Sequence, residues 1–455
     1  MELSPEQELA LQAYHLGKNI FLTGPGGSGK TELIRRMVKL AQEGGKKIQV
    51  CALTGCAAVL LACKAKTVHS FAGIGLANGS VEEVIRKVVS NKYKLKNWLG
   101  IDILIIDEVS MMSWKIFEIL DFIARKSRKK MQMPFGGIQV VFSGDFYQLP
   151  PVGSNEAGEE DSSAFCFESP NWNKTFDVTI CLKTIFRQSD QVYTKILNQV
   201  RIGKLYKSSL DTLEKHLNKE FPANFKPTIL LPRRKDAETI NTKEINALVG
   251  ESKTYKIAKV KDIPLTSSNA LSKASSSLPS AEKKMVTEEQ YENEYNYLVN
   301  NIIADKEILL KVGAQVMCIA NVNMESNEQV VNGSQGIIVG FVGELPLVQF
   351  NNGTKRTVGY HVWVSENLPN FGIKQIPLIY AWAITIHKAQ GVSLDMAQID
   401  AGSNIFECGQ TYVALSRVKS LDGLFLTALN PQKIKVNKKV QEFYASLALE
   451  EKSVI

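Results

Sequence analysis

Residues 24–31 read GPGGSGKT, with the apolar run NIFLTG leading in and TELIRRMVKLAQEGGK following. Gly24, Gly29, Lys30 and Thr31 fit the spacing G-x-x-x-x-G-K-[ST]. The leading run is apolar throughout, as a buried strand is. In the following run Leu33, Met37 and Leu40 recur at helical spacing, and a glycine pair supplies the stop. Strand, glycine turn and helix in this order commit the chain to an α/β layer, because such a loop works at the carboxyl end of a strand that feeds a helix. The glycines let backbone N–H groups face phosphate oxygens, and the helix N-terminus adds the positive end of its dipole. Lys30 is expected to reach the β- and γ-phosphates of a bound nucleotide and the Thr31 hydroxyl to hold Mg²⁺.

Further runs repeat the pattern. IQVCALTG, IDILIIDEVSMM, GGIQVVFSGDFYQLPPV and VTICLKTIFRQ each begin apolar and end polar, separated by helical stretches. This predicts a parallel α/β sheet with its ligands at the carboxyl strand ends. From about residue 251 the texture changes. The Ser-rich run at 266–284 reads as a flexible insertion. Residues 307–364 then alternate in period two between Asn-Gly turns, which predicts a small antiparallel β module. PLIYAWAITIHKAQG and TYVALSRVKSLDGLFLTA return to α/β texture.

The chain has 455 residues, 44% hydrophobic and 22% charged, the profile of a globular protein of two to four domains. No apolar run approaches a membrane span, and MELSPEQELAL lacks a signal-peptide core or an Arg-rich transit pattern. Seven cysteines without a C-x-x-C pair indicate a reducing compartment, nucleus or cytoplasm. Cys51, Cys56 and Cys63 cluster, but zinc would need a fourth ligand. A net charge of +8 tilts the chain towards a polyanionic partner.

Asp107 and Glu108 close the strand ILIIDE, the Walker B arrangement: Asp107 on Mg²⁺, Glu108 on the attacking water. Gln148, in GDFYQLPPV, is placed to contact a γ-phosphate or that water. Arg187 in FRQ and Arg417 in ALSRV lie outside the first α/β unit, so an arginine supplied to the phosphates would make hydrolysis depend on domain closure. Phe71 beside His69 offers a surface on which bases could stack. The basic run RKSRKK at 125–130 reads equally as a track for a phosphate backbone and as a solvated helix end, and KPTILLPRRK and NPQKIKVNKK are ambiguous in the same way. Met111 and Met112 read as core.

The ordered set LSPEQ, GPGGSGKT, ALTGCAA, TVHSF, IIDEVSMM, GDFYQLPPV, FRQ, WAITIHKAQG and YVALSRV resembles superfamily 1B DNA helicases, and within them the petite-integration-frequency (Pif) family. The segment IFEILDFIARKSRKKMQMPFGGIQ resembles that family's signature stretch, and LLKVGAQVM and VNGSQG resemble its β module. The match runs from about residue 4 to about residue 427. It implies two RecA-like P-loop domains with parallel sheets, an inserted SH3-like antiparallel module, and 5′-to-3′ travel on single-stranded DNA with unwinding at single/double-strand junctions. By position, Gln7 would read the adenine edge. Gly24, Pro25, Gly26, Gly27, Ser28, Gly29, Lys30 and Thr31 would hold phosphates and metal. Gln148 and Gly391 would sense the γ-phosphate, and Arg187 and Arg417 would be arginine fingers. Thr54, Gly55, His69, Phe71, His387 and Lys388 fall in motifs that touch DNA. The implied boundaries are 1–181 for the first RecA-like domain with a wedge near 71–80, 182–250 and 366–455 for the second, and 251–365 for the insertion. A monomer is expected when free. Two other readings remain at this point: an ATP-hydrolysing single-strand binder without processive unwinding, and a P-loop phosphotransferase. RNA as the track also stays open.

Overall fold

The computed structural model describes residues 3–61, 63, 65–75, 77–151, 153, 163–221, 226–261, 287–302, 304–320, 330, 333–365, 368 and 370–453. The Ser-rich run 266–284, Leu76 of the expected wedge, and Val331 and Asn332 of VNGSQG lie outside these residues.

The chain divides into two compact units, Met1–Ala237 with Ile384–Ile455, and Glu238–Ala383. The first unit carries a six-stranded sheet. Its strands are β1 (Ile20–Thr23), β2 (Ile48–Ala52), β3 (Lys66–Thr67), β4 (Ile103–Asp107), β5 (Gln139–Gly144) and β6 (Val178–Cys181), in the order β3-β2-β4-β5-β1-β6. Every pairing is parallel. The five strands expected from pattern are present, and the two-residue β3 is added at the edge. Continuous apolarity follows from burial on both faces. Ile20, Leu22, Ile103 and Ile105 join the helices Pro5–His15 and Lys30–Glu43 on one side, whereas Phe21, Leu104, Ile106 and Phe142 meet Phe117 and Trp172 on the other. Burying a side chain such as Phe21 contributes about 1.5–3 kcal/mol. Met112 lies in that second core, as expected, and Met111 is half-buried.

The same unit holds a four-stranded sheet, ordered Ala383–Thr385, Thr228–Leu231, Ala397–Ala401, Leu424–Leu429. The last three pair in parallel. The two parallel sheets give the α/β layout that the sequence implies.

The second unit is antiparallel. Five strands run in the order Lys355–Thr357, Leu345–Phe350, Gln335–Val342, Gln315–Cys318, Leu378–Tyr380. Pro346, Val348 and Phe350 alternate inward, the period-two pattern read from the sequence. Gly353, at φ +88°, turns the Asn-Gly hairpin into Lys355–Thr357. The flanks of the Ser-rich run are regular: strands Ser252–Lys256 and Ala258–Lys261 precede it and helix Glu288–Asn301 follows.

The arginines of RKSRKK are committed to the fold. Arg125 bonds Asp121 at 2.8 Å and the Met131 carbonyl, and Arg128 donates to the carbonyls of Gly136 and Ile101. They tie the last turn of helix Trp114–Arg128 to the segments around it, which leaves Lys126, Lys129 and Lys130 as the exposed cations of the run.

Candidate nucleotide site

The phosphate loop sits between β1 and the helix Lys30–Glu43, whose buried face is Leu33, Ile34, Met37, Val38 and Ala41. Leu40 of the predicted stripe is only half-buried. Two glycines show why the loop has no alternative residues. Gly29, which caps the helix at φ +83°, would place a Cβ 2.6 Å from Gln7 Nε2. Gly27, also at φ +83°, would drive one to 2.5 Å from Arg187 Cβ. The loop thus lies directly on the FRQ segment, where the Phe186 N–H donates to the Gly27 carbonyl at 2.8 Å.

Gln7 is placed by helix capping. Ser4 caps Pro5–His15 and accepts from the Gln7 N–H, while Gln7 Oε1 accepts from the Ser4 N–H at 3.1 Å. That reciprocal pair leaves Nε2 to donate to the Ser28 carbonyl at 3.4 Å. Lys30 Nζ donates to the carbonyls of Gly24 at 2.7 Å and Pro25 at 3.0 Å. Burial lowers its pKa, opposed by Asp145, Glu108 and Asp107. The Ser28 hydroxyl is buried and has no hydrogen-bond partner among the described residues. Thr31, the second residue of the helix, is half-buried.

Asp107 ends β4 and is buried. Glu108 follows it with φ +56°, a left-handed backbone that a non-glycine residue adopts only under constraint. Burial pushes the Glu108 carboxyl up to about 7 and the Asp107 charge adds to this, while Lys30, Arg417 and a hydrogen bond from Gln390 act the other way. Gln390 Nε2 donates to Glu108 Oε2 at 2.9 Å. A carboxylate so tuned fits general-base work near neutral pH.

Arg417 closes the arrangement. Only 2% of it is exposed, and a Cβ on Gly26 would come within 3.4 Å of its Nη2. Nε donates to the Val413 carbonyl and Nη2 to Ser416 Oγ, and among the described residues it forms no ion pair. Burial, then the neighbouring Arg187, pushes its pKa down to about 9. Arg187 Nη1 donates to the Ser416 carbonyl at 3.1 Å, and burial lowers its pKa too. Gln148 is buried on the loop after β5, where its N–H donates to the Asp145 carbonyl at 2.8 Å. Gly391 is exposed, at φ +80°, beside buried Gln390.

The residues assigned to DNA fare differently. Thr54 Oγ1 accepts from the Ala57 N–H, capping the short helix Gly55–Leu61. His69 is half-buried on helix Val68–Ala72, and burial lowers its pKa. Phe71 must be corrected. It is 3% exposed, with its ring centroid 4.8 Å from that of Trp98 in the core beneath the sheet. A stacking platform needs a free face, and Phe71 has none. Of the wedge stretch, Phe71, Ala72, Ile74 and Ala77 are buried, and Gly75 and Asn78 are exposed. His387 and Lys388 are half-buried just past strand Ala383–Thr385. Cys51 is buried and Cys63 half-buried, both as free thiols, while the Cys56 side chain lies outside what the structure describes.

Sequence reasoning passed over Tyr412, whose hydroxyl accepts from the Gly26 N–H at 2.8 Å, and Gln390. Both stand inside motifs already singled out, YVALSRV and HKAQG, so their signal was position within the motif.

Together the sheets and the loop define a P-loop nucleotide-binding protein of RecA-like build. The chain belongs to the Pif1-like helicase family. The family profile described as PIF1-like helicase matches residues 2–209, and that of the DNA helicase Pif1 2B domain matches 295–341. The chain is 34% identical to the ATP-dependent DNA helicase PIF1 of Emericella nidulans over 95% of its length, spanning 61% of that protein. It is 32% identical to Pif1 of Bdellovibrio bacteriovorus over 98% of its length, and there covers 92% of the relative. The crystal structure of Pif1 helicase from Candida albicans superposes with a TM-score of 0.75 at 33% identity, covering 98% of this chain and 100% of that one. Among the described residues no helix is long and apolar enough to cross a membrane.

Proposed function

We propose that the chain is an ATP-dependent DNA helicase that moves 5′ to 3′ on single-stranded DNA and unwinds duplex at junctions, serving replication, repair or recombination. The observation that carries this is Arg417, a buried guanidinium without a carboxylate partner among the described residues, set against the phosphate loop from the segment between strands Ala397–Ala401 and Leu424–Leu429 of the second sheet. A cation so desolvated needs an anion, and the γ-phosphate would supply it. The relatives, known as ATP-dependent DNA helicases, point to the same activity.

In this reading Gln7 meets the adenine edge. Gly24, Pro25, Gly26, Gly27, Ser28, Gly29 and Lys30 hold the phosphates, with the Ser28 hydroxyl, which has no partner among the described residues, as a spare donor. Thr31 and Asp107 would hold Mg²⁺: a hydroxyl and a buried carboxylate are the hard oxygen donors this ion takes. Bound there, the ion neutralises charge on the β- and γ-oxygens. Glu108 takes the proton of the attacking water, Gln148 and Gly391 report the γ-phosphate, and Arg187 and Arg417 stabilise charge in the transition state. Thr54, Gly55, His69, His387 and Lys388 follow the strand, with Phe71 supporting them from the core. The free chain is read as a monomer.

The test is ATP turnover with and without an oligothymidine, followed by unwinding of duplexes tailed at either end. Turnover should rise with DNA, and only 5′-tailed duplexes should open. DNA-independent turnover, or unwinding from a 3′ tail, would sink the reading.

A further inference from the structure

The C-terminal helix Lys438–Ser453 lies beyond the stretch whose motifs were legible, yet one of its residues reaches the catalytic loops. Val440 and Phe443 pack into the core of Phe21, Phe146 and Trp172. Next to them, the Tyr444 hydroxyl meets three groups. It bonds Thr23 Oγ1 at 2.6 Å, accepts from the Phe146 N–H at 3.2 Å, and donates to Asp145 Oδ1 at 3.4 Å. Thr23 is the residue before Gly24, and Asp145 and Phe146 open the loop that carries Gln148. The Tyr444 ring stacks on Tyr147, centroids 4.6 Å apart at 11°.

A buried ion pair fixes the same loop. Arg201, on helix Gln191–Arg201, holds Asp145 with two bonds of 2.8 Å and lies 4.5 Å from the Tyr147 ring centroid. Burial alone would lower the Arg201 pKa, but Asp145 outweighs it and raises it. On the far side, a Cβ on Gly409 would strike the Gln148 carbonyl at 2.4 Å. The turn Asp145–Gln148 is therefore clamped from several sides, and the Tyr444 hydroxyl ties it to the strand end that feeds the phosphate loop.

We infer that Tyr444 is a positioning residue for ATP hydrolysis: its hydroxyl sets the spacing between the Thr23 end of the phosphate loop and the loop bearing Gln148. The inference rests on the proposed role of Gln148. A spacing defect should slow the chemical step and leave nucleotide binding alone, because the phosphate loop itself stays intact.

Tyr444→Phe keeps the ring stack and the packing and removes only the hydroxyl. DNA-stimulated kcat should fall about tenfold, the worth of one well-placed hydrogen bond, with KM for ATP unchanged and Tm lowered by only a few degrees, since the Phe146 N–H and the Thr23 hydroxyl each lose a partner. Phe443→Leu, a packing change one residue away, should lower Tm without separating kcat from KM. Gln148→Ala and the double variant complete a cycle. If Tyr444 acts through Gln148, the double variant should be no slower than Gln148→Ala alone. A Tyr444→Phe enzyme with wild-type kcat, or strictly additive losses, overturns the inference while Gln148→Ala stays impaired. A Gln148→Ala enzyme with normal kcat instead removes the Gln148 role and the inference with it.

Discussion

The nucleotide pocket and the group of residues named for DNA differ in what holds their side chains. In the pocket, backbone geometry leaves little choice. Gly27 and Gly29 have left-handed φ and no room for a Cβ, Gln7 is fixed by a capping box, and Glu108 sits on a strained backbone. Each constraint leaves a mark in the sequence at fixed spacing. Among the DNA-motif residues, Thr54 caps a helix and Phe71 fills the core against Trp98. A motif there records a fold requirement as readily as a contact, so the type of residue does not reveal its exposure.

The largest expected effect tests the pocket side of this contrast. Arg417→Ala should lower DNA-stimulated ATP turnover by about 10³–10⁵-fold. Affinity for an oligothymidine should be unchanged, since the guanidinium is buried beside the phosphate loop. Steady-state turnover alongside fluorescence anisotropy decides it. Equal losses of DNA affinity and turnover would make Arg417 a fold or DNA residue and erase the distinction between the two regions.

Legibility follows the same division. The six-stranded sheet was readable because strands buried on both faces are apolar without interruption, as in Ile103–Ile106. The antiparallel module was readable from alternation, as in Leu345–Phe350. Edge strand Lys66–Thr67 was not, since two residues carry no period. Spacing and order single out Glu108, Arg187 and Arg417 in the sequence, and the fold sets Arg187 against Gly27 and Arg417 against Gly26. Gln390 and Tyr412 were missed within their own motifs, where pairwise contact is invisible until the chain folds. Tyr444 has no motif at all. Its role depends on a helix from the end of the chain returning to β1, a contact 421 positions apart.

A second, smaller effect tests the correction at Phe71. Truncating a ring in a filled core costs about 3–5 kcal/mol. Phe71→Ala should therefore unfold at distinctly lower urea than the parent, and Phe71→Leu should lie between the two. Single-strand affinity, measured well below the midpoint, should stay near the parent value. If Phe71→Ala keeps its stability and loses affinity, the ring leaves the core when DNA binds, and the contrast between the regions describes the free chain alone.

The smallest effect asks whether the DNA group holds any true contact. Lys388 is half-buried, and its backbone N–H is bonded to Thr385 Oγ1, which fixes the main chain just past the strand Ala383–Thr385. The ammonium is not engaged by that bond. A lysine facing one phosphate of a single strand releases about 0.7 of a counterion on binding, so Lys388→Ala should reduce the magnitude of the log–log salt slope by about 0.7. Loss of a non-electrostatic contact would weaken binding at every salt concentration and leave the slope alone. Titrations against an oligothymidine at four or more salt concentrations separate the two. A flattened slope makes Lys388 a phosphate contact. An unchanged slope with unchanged affinity places the residue with Phe71, as part of the fold rather than of the track, and moves the search for the strand's path to the exposed cations Lys126, Lys129 and Lys130.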